Sequence, residues 1–486
     1  MRILFFVLIL SICAPKLLSQ PPISITDGYI GKPIYALDSG YLFARSLAND
    51  EIFYRWDLRS ASKIEILDAE FESTLWFRMT PFPTIAKANF RYLSKPITLQ
   101  NFEVQGGNFS KRIFYAKADN AKGTVFLFHT EATSSVEWTQ NYYEQFQLFK
   151  VLQYYGYSVV LFDCEERATS NDINNDKVIN WQLVPHSIEG NYDYKNCELI
   201  MAELKNRNIM SENENFYAIG NSNGGQFAQG FADLFAAKAC VVFNAQPNQH
   251  ISADMQITPI IFNVNVNDVS VNNSVNQLYV DSLKNLSKCA SIHYTRATPL
   301  YPEAFARTRM IPMELSNKLF EELKVNDYLT NFNYLNKSFL ELITDVVNNP
   351  SKWPEARFLN SSYSTAYSRQ IRLSNAEKEF NSNRVSAIVE FLEFPCELNT
   401  SVNNQPISNG NSNNLIETNG NGFVEITVEN TLQNSFSLCD LNGTSIEIPR
   451  FIIDTQTLKL SFASMPNGFY YLSDQNGNGY TIVHRK

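Results

Sequence analysis

The sequence predicts an α/β protein whose main domain is a mostly parallel β-sheet with flanking helices, followed by a small all-β sandwich. Between residues 97 and about 300, continuous apolar strands alternate with helical segments, which is typical of βαβ units. From about residue 422 the pattern changes to short strands separated by Leu-Asn-Gly and Pro-Asn-Gly turns. The 486 residues allow two or three domains, and 44% hydrophobic with 18% charged residues is the composition of a globular protein.

Charge and composition exclude several classes of partner and cofactor. The chain carries 40 Lys+Arg against 49 Asp+Glu, a net charge of −9, whereas nucleic acids and anionic membrane surfaces require clustered basic residues. With five His, no C-x-x-C pair and no lysine in its glycine-rich turn, the sequence predicts neither a metal nor a cofactor. No internal stretch reaches the roughly 20 apolar residues of a membrane helix, so we expect no transmembrane span in the mature protein.

The N-terminus has the features of an export signal. Arg2 precedes an apolar run over 3–12, and small residues follow it, so residues 1–20 are predicted to be a secretory signal peptide. The alternatives are a buried strand or a lipid anchor on Cys13. Export permits disulfides, and we expect one among the six cysteines that remain after cleavage, with its pairing left open.

The main domain follows a lead-in segment. Residues 21–96 are rich in aromatic side chains but contain no motif, and we treat them as a lead-in subdomain of unknown role. Residues 97–395 form the predicted main domain, which opens with an antiparallel hairpin that turns at Gly106-Gly107. The apolar patterns then predict strands over 123–129, 157–163, 215–219, 238–244, 258–266 and 289–295, with helices over 143–155, 192–207, 224–237 and 275–287.

Three further segments complete the predicted organisation. From about residue 300 to 395 the pattern is mostly helical with proline breaks, which extends the main domain. Residues 396–421 are largely Asn, Ser and Gly, so they are predicted to be a flexible linker. Residues 422–486 form the predicted β-sandwich.

A glycine-rich turn joins one predicted strand to the next predicted helix. The strand Phe-Tyr-Ala-Ile runs directly into Gly220-Asn221-Ser222-Asn223-Gly224-Gly225, which is G-x-S-x-G in the strand–turn–helix context of a nucleophilic serine. Small residues two positions on either side of Ser222 let the strand and helix approach each other, and the helix N-terminus favours negative charge on the serine oxygen. The alternative is an incidental tight turn.

These motifs resemble the α/β-hydrolase superfamily. The likeness covers residues 97 to about 300, and less clearly to 395, through the GNSNGG turn, the strand GTVFLFH and the strand GYSVVLFD. The resemblance implies Ser222 as nucleophile and an oxyanion hole formed by the backbone N–H groups of Asn223 and Thr130. The family usually has His-Gly where this chain has His129-Thr130.

The catalytic acid is expected at the end of a later strand. Asp268 follows the predicted strand over 258–266, in the order Ser then Asp that the fold requires, and its D-x-x-V context also resembles the family. The alternatives are that Asp268 only caps a turn, or that Asp163 at the end of an earlier strand is the acid.

The catalytic base is left open by the sequence. His293 follows Asp268 in the chain, but the segment Ala-Ser-Ile-His-Tyr-Thr places it inside a strand, which favours a structural histidine. The stretch Ala376-Glu-Lys-Glu-Phe380 resembles an A-E-H-E-F stretch of some relatives, with Lys378 at the histidine position. Lys378 serves as base only if burial keeps it neutral. The third possibility is that the base is degraded or absent.

The C-terminal sandwich resembles the sorting domain of the type IX secretion system of Bacteroidetes. The likeness lies in a hairpin with Asp440-Leu-Asn-Gly, a strand that begins Pro466-Asn-Gly-Phe-Tyr, and the basic end His484-Arg-Lys. The resemblance implies the outer-membrane secretion machinery as partner and a secreted or cell-surface location reached through the periplasm. The alternative is a carbohydrate-binding or spacer sandwich.

These patterns together predict an exported serine hydrolase that is esterase-like and acts on a small-molecule or polymer ester through Ser222. The alternative is a catalytically degenerate hydrolase scaffold that acts as a surface binding protein. A basic nitrogen within hydrogen-bond reach of Ser222 would discriminate between the two.

Overall fold

The structure is a computed structural model, and it divides the chain into two compact units, residues 1–399 and 400–486. In the first unit it describes residues 23–31, 39–60, 64–66, 73–78, 84–139 and 142–395. In the second it describes the backbone of seven strands. The predicted signal peptide, residues 1–20, lies outside the described residues. No helix within the described ranges is long and apolar enough to span a membrane.

The lead-in subdomain consists of two small β-sheets. Its strands are β1 (Ile23–Thr26), β2 (Gly28–Gly31), β3 (Ser39–Ala44), β4 (Glu51–Ser60), β5 (Glu65–Ile66), β6 (Thr74–Arg78) and β7 (Thr84–Tyr92). The sheet orders are β1-β7-β4 and β2-β3-β6-β5. Leu42, Trp56 and Leu75 are buried between these sheets in a shared apolar cluster. The aromatic composition of this segment is therefore explained by packing.

The main domain is built on an eight-stranded sheet. Its strands are β8 (Gln100–Gln105), β9 (Ser110–Ala116), β10 (Gly123–Phe128), β11 (Tyr157–Leu161), β12 (Phe216–Asn221), β13 (Ala239–Phe243), β14 (Ile260–Asn265) and β15 (Ala290–Thr295). They lie in the order β15-β14-β13-β12-β10-β11-β9-β8. The hairpin β8–β9 joins antiparallel to β11, and the six remaining strands pair in parallel. This order is that of the α/β-hydrolase sheet, so the predicted fold class is confirmed.

Helices cover both faces of this sheet. The helices described in this unit are α1 (Tyr143–Tyr154), α2 (Glu165–Thr169), α3 (Tyr192–Asn206), α4 (Asn223–Phe235), α5 (Asn273–Asn285), α6 (Met313–Val325), α7 (Phe339–Asn348), α8 (Ser361–Ser374) and α9 (Val385–Glu393). Of these, α1, α3, α4, α5 and α9 pack on the sheet. Side chains alternate along β10, so Val125 and Leu127 pack with α1 and α9, while Phe126 and Phe128 pack with α3, α4 and α5. Because every β10 residue is buried, the continuous apolar run in the sequence is explained.

The helical extension holds the lead-in subdomain against the main domain. Helices α6 to α8 lie between β15 and the loop at 375–380, together with short 3-10 helices. Phe43 of β3 stacks on Tyr301 with ring centroids 4.5 Å apart, and both belong to one apolar cluster with residues of α6 to α8. Ser73 and Thr74 also form hydrogen bonds with Asn383, at 3.0 and 3.1 Å.

The second unit contains two further small sheets. Its strands are β16 (Asn414–Glu417), β17 (Phe423–Thr427), β18 (Phe436–Asp440), β19 (Arg450–Ile452), β20 (Thr457–Ser461), β21 (Gly468–Asp474) and β22 (Gly479–His484). They form the orders β16-β22-β21-β18 and β17-β20-β19. Strand β16 falls inside the segment 396–421, which we predicted to be a flexible linker. Its backbone pairs in parallel with β22. The remainder of that segment lies outside the described residues.

Candidate active site

Ser222 stands at a strained turn between β12 and α4. Its backbone has φ 54° and ψ −126°, in a region that side-chain-bearing residues rarely occupy. The turn is tight enough to require glycine on both sides. A Cβ on Gly220 would approach the carbonyl oxygen of Gly224 to 2.0 Å, and a Cβ on Gly224 would approach that of His129 to 2.2 Å. This is the elbow geometry predicted from the G-x-S-x-G motif.

The hydroxyl of Ser222 is bound to a carboxylate. Its Oγ donates a hydrogen bond of 2.5 Å to Oε2 of Glu131, which lies on the loop after β10. The backbone N–H of Asn223 donates to the same oxygen at 3.2 Å. Glu131 therefore lies against the N-terminus of α4, where the helix dipole favours negative charge. Of the two predicted oxyanion donors, Asn223 thus lies beside Ser222, but its N–H is hydrogen-bonded to Glu131.

Lys378 completes a chain of three polar side chains. Its Nζ forms an ion pair with Oε1 of Glu131, and the two side chains are 38% and 27% exposed. Burial raises the pKa of Glu131, but hydrogen bonds from Lys378 and Ser222 outweigh burial and leave that pKa below its ordinary value. Glu131 is therefore ionised at neutral pH. The structure brings Lys378 to the site through Glu131 rather than by direct contact with Ser222.

Two buried asparagines fix the loop that carries Lys378. The Nδ2 of Asn265, the last residue of β14, donates to the carbonyl oxygens of Glu377 at 2.5 Å and Glu379 at 2.7 Å. The Nδ2 of Asn244, directly after β13, donates to the Glu379 carbonyl at 2.9 Å. Both asparagines lie at the carboxyl ends of parallel strands, and Ser222 follows the carboxyl end of the parallel strand β12. The sheet therefore places Lys378 at the same end of its strands as Ser222.

Thr130 does not present its N–H to the site as the resemblance implied. That N–H donates to Oε1 of Glu137 at 2.8 Å, and the Thr130 hydroxyl also bonds Glu137. Glu137 is buried, and burial raises its pKa to about 7 despite these hydrogen bonds. The Thr130 amide is thus engaged by a carboxyl group that the sequence analysis did not consider.

Asp268 is buried but does not contact Ser222 or a basic residue. Its Oδ1 accepts hydrogen bonds from the backbone N–H and hydroxyl of Ser270, at 2.9 and 2.6 Å. Its Oδ2 is buried with no hydrogen-bond partner among the described residues. The observed bonds are those of a turn-capping aspartate, the alternative that the sequence left open. The other candidate acid, Asp163, accepts a hydrogen bond from the N–H of Ser135 at 2.6 Å.

His293 lies too far across the sheet to contact Ser222. It is in the middle of β15, opposite Asn263 of β14. Two strands, β14 and β13, lie between β15 and β12, so the distance is three strand spacings, about 14 Å. Burial, together with the charge of Arg384, lowers the pKa of His293 to about 3. His129 is also buried, and its Nε2 accepts a hydrogen bond from the N–H of Cys164. Neither histidine is placed to take a proton from Ser222.

Glu131 is the site residue that the sequence analysis missed. Glu131 follows Thr130 directly, on the loop where the resemblance placed an oxyanion donor. An acidic residue at this position was the sequence feature that could have indicated a role for Glu131 in the site. The described part of the chain shows no group of three or more His, Cys, Asp or Glu side chains placed to hold a metal ion. Cys164, Cys197 and Cys240 are buried free thiols, whereas Cys289 is disulfide-bonded.

Comparison with known proteins yields no matching protein-family model and no matching curated protein. Among solved structures, the esterase Pf2001 of Pyrococcus furiosus is 15% identical with a TM-score of 0.32, over 47% of this chain and 93% of its own. A dienelactone hydrolase of Anabaena variabilis is 18% identical with a TM-score of 0.33, over 46% and 97%. A carboxylesterase of Bacillus cereus is 15% identical with a TM-score of 0.29, over 43% and 94%. The fold is identified by its strand order, and no activity is carried over from these proteins.

Proposed function

We propose that this chain is a serine acyl hydrolase that cleaves esters with Ser222 as nucleophile. The observation that supports the proposal best is the conformation of Ser222. A non-glycine residue in such a backbone region costs about 1–3 kcal/mol, and glycine would relieve that cost. The turn nevertheless carries serine, with its hydroxyl hydrogen-bonded to an ionised carboxylate at a helix N-terminus. This arrangement suits a serine that attacks the carbonyl carbon of a substrate, because the adjacent base activates the hydroxyl and the helix N-terminus favours the negative charge that develops on the carbonyl oxygen.

A second candidate function is that of a degenerate hydrolase scaffold that binds a partner without chemistry. One observation favours it. The carboxylate of Glu131 accepts a hydrogen bond from the Asn223 N–H that would stabilise an oxyanion, and neither His129 nor His293 is placed to contact Ser222. In the resting site this N–H is therefore engaged by Glu131 and not available to an oxyanion.

Covalent labelling separates these two functions. The purified full chain is treated with a fluorophosphonate, which reacts with activated serines, and the modified peptide is identified by mass spectrometry. We expect labelling at Ser222 and hydrolysis of p-nitrophenyl acetate, both lost in Ser222→Ala. The matched control is Ser282→Ala, an exposed serine of α5, which should leave both unchanged. A folded protein with neither labelling nor turnover would favour the scaffold.

We also propose that the protein is exported through the periplasm and sorted across the outer membrane by residues 422–486. The support is the apolar run at the N-terminus, the likeness to a type IX sorting domain, and the separation of this region as a compact unit. Deleting residues 422–486 should leave the protein in the periplasm of its host. The full-length Ser222→Ala variant is the control, because it keeps the sorting unit and should reach the surface normally. Normal surface levels of the truncated protein would contradict the sorting role.

A further inference from the structure

The geometry points to Glu131 as the proton acceptor of Ser222 in acyl transfer, with Lys378 as the residue that positions Glu131. This inference rests on the proposed ester hydrolysis by Ser222. It assigns the role of general base to a carboxylate, whereas the resemblance to α/β-hydrolases led us to look for a histidine base. It also gives Lys378 a function other than that of base.

Proximity is the first argument. A general base has to lie within hydrogen-bond reach of the proton that it removes. Glu131 Oε2 meets this requirement, at 2.5 Å from the Ser222 oxygen. The other groups that the sequence suggested do not contact Ser222: Asp268 bonds to Ser270, and His293 lies three strands away.

Charge is the second argument. Lys378 is paired with Glu131, and an ammonium group has three donors and no acceptor, so Lys378 cannot take the proton while it remains charged. Its position instead keeps the Glu131 carboxylate ionised and turned toward the serine. The carbonyl bonds from Asn265 and Asn244 hold the loop of Lys378 in place. Lys378 is therefore a positioning residue.

The acylation half of the reaction follows from these contacts. The Ser222 oxygen forms a bond to the carbonyl carbon of the ester, its proton passes to Glu131 Oε2, and the carbonyl electron pair moves to the oxygen. The neutral Glu131 carboxyl then competes less for the Asn223 N–H, which becomes available to the oxyanion. The intermediate collapses as the bond to the alcohol oxygen breaks. The Glu131 proton passes to that oxygen, which releases the alcohol and leaves an acyl-serine.

Deacylation reverses the roles. Water attacks the acyl carbon and gives one proton to Glu131. The bond to the Ser222 oxygen then breaks, Glu131 returns the proton to that oxygen, and the carboxylic acid departs. Water is the only co-reactant in this step, and both Ser222 and Glu131 end as they began.

An opposing role for Glu131 makes a contrary prediction. If the carboxylate only fills the oxyanion position, removing it should speed the reaction. If Glu131 is the base, Glu131→Gln should lower kcat/KM for p-nitrophenyl acetate by about 10²- to 10⁴-fold, the usual contribution of a general base. Glu393→Gln is the matched control, since Glu393 forms a similarly exposed ion pair with Lys122 on another part of the domain.

The pH profile supplies a readout that a merely structural role would not change. A base whose pKa lies below the ordinary value of glutamate keeps kcat/KM constant from about pH 8 to below pH 6, whereas a histidine base loses activity near pH 6.5. Lys378→Met removes the cation that lowers the Glu131 pKa, so the acid limb should move to higher pH. Lys378→Arg should restore the acid limb to lower pH.

The outcomes separate the inference from the proposed function. Wild-type protein that is neither labelled nor active contradicts the proposed hydrolysis itself. Active wild-type protein with an unchanged or faster Glu131→Gln variant overturns the role of Glu131 alone, as does an acid limb that Lys378→Met leaves in place. If Glu131→Gln does not fold, Glu131→Asp serves instead. It keeps the charge but shortens the reach, and it should also lower kcat/KM.

Discussion

Asn265 holds the backbone on both sides of Lys378, through side-chain hydrogen bonds to the carbonyl oxygens of the two flanking residues. Asn265 is the last residue of β14 and is 2% exposed, whereas Glu377 and Glu379 are half-buried. The loop that carries Lys378 follows the helical extension rather than β15 directly. A buried polar side chain at the end of a core strand therefore determines where this distant loop lies.

Asn265→Ala should destabilise the protein and lower its activity. The variant leaves two carbonyl groups of the 377–379 loop without their partner, at a cost of about 1–3 kcal/mol. Urea denaturation measures the free energy of unfolding, and kcat/KM is measured in parallel. Asn267→Ala is the control, because Asn267 is exposed and donates to the same loop at Asn375. An equal loss in both variants would show that burial of Asn265 is unimportant.

Gly224→Ala should disrupt the elbow. The added Cβ would meet the carbonyl oxygens of His129 at 2.2 Å and Phe128 at 2.6 Å, both on the backbone of the neighbouring chain segment, which cannot rotate away. We expect a loss of about 1–3 kcal/mol or more in the free energy of unfolding, together with loss of fluorophosphonate labelling. In Gly107→Ala the nearest atom is 3.8 Å away, and stability should hardly change. Wild-type labelling of Gly224→Ala would contradict the described turn.

Lys111→Met should be strongly destabilising because it strands a buried charge. Lys111 Nζ lies 2.5 Å from Glu165 Oε2, and the two side chains are 1% and 0% exposed. Breaking such a pair costs about 3–5 kcal/mol, and removing both charges recovers much of the loss. The double variant Lys111→Met/Glu165→Gln keeps an acceptor for Asn196 and should be more stable than the single variant. Lys318→Met, which breaks an exposed pair with Glu314, should lose under about 1 kcal/mol.

His293→Gln should leave turnover intact and change how stability depends on pH. Burial lowers the pKa of His293 to about 3, so between about pH 6.5 and that value the unfolded chain binds a proton that the folded protein does not. Stability of the wild type should therefore fall with decreasing pH in this window, by up to about 1.4 kcal/mol per pH unit from this residue. Above the window His293 contributes no slope.

The comparison needs denaturation of wild type and His293→Gln at several pH values. The difference in unfolding free energy between them should change with pH below about 6.5 and be constant above it. Loss of ester hydrolysis in folded His293→Gln would instead make His293 part of the catalytic machinery, against its place in the sheet.

The central strands and helices could be predicted because their signals are local. The helix predicted over 224–237 is Asn223–Phe235, and the strand predicted over 157–163 is Tyr157–Leu161. Both patterns arise from apolar residues within a single element. The lead-in strands carry no such signal, since β1 pairs with β7, which lies far along the chain. Their sheet orders follow from contacts that sequence periodicity does not record.

The candidate site was predictable only where one segment forms it. The turn around Ser222 is encoded in consecutive residues, so its strand–turn–helix geometry could be read directly. Glu131 and Lys378 meet although they lie 247 positions apart, and their contact requires the helical extension to return the chain to the sheet edge. No spacing rule relates these two residues, which is why Lys378 was considered as a base and Glu131 was not considered.

The contacts of the lead-in subdomain impose an order on folding. Ser73 bonds Asn383 across 310 positions of sequence, and Phe43 stacks on Tyr301. Closing such long loops is entropically costly until the intervening chain is already compact. We therefore expect the contacts of the lead-in sheets with Tyr301 and Asn383 to form late in folding, after the intervening chain has become compact. A chain that stops before residue 301 would leave the apolar face around Phe43 uncovered. Such C-terminal truncations of the first unit should therefore aggregate more readily than truncations that remove only the second unit.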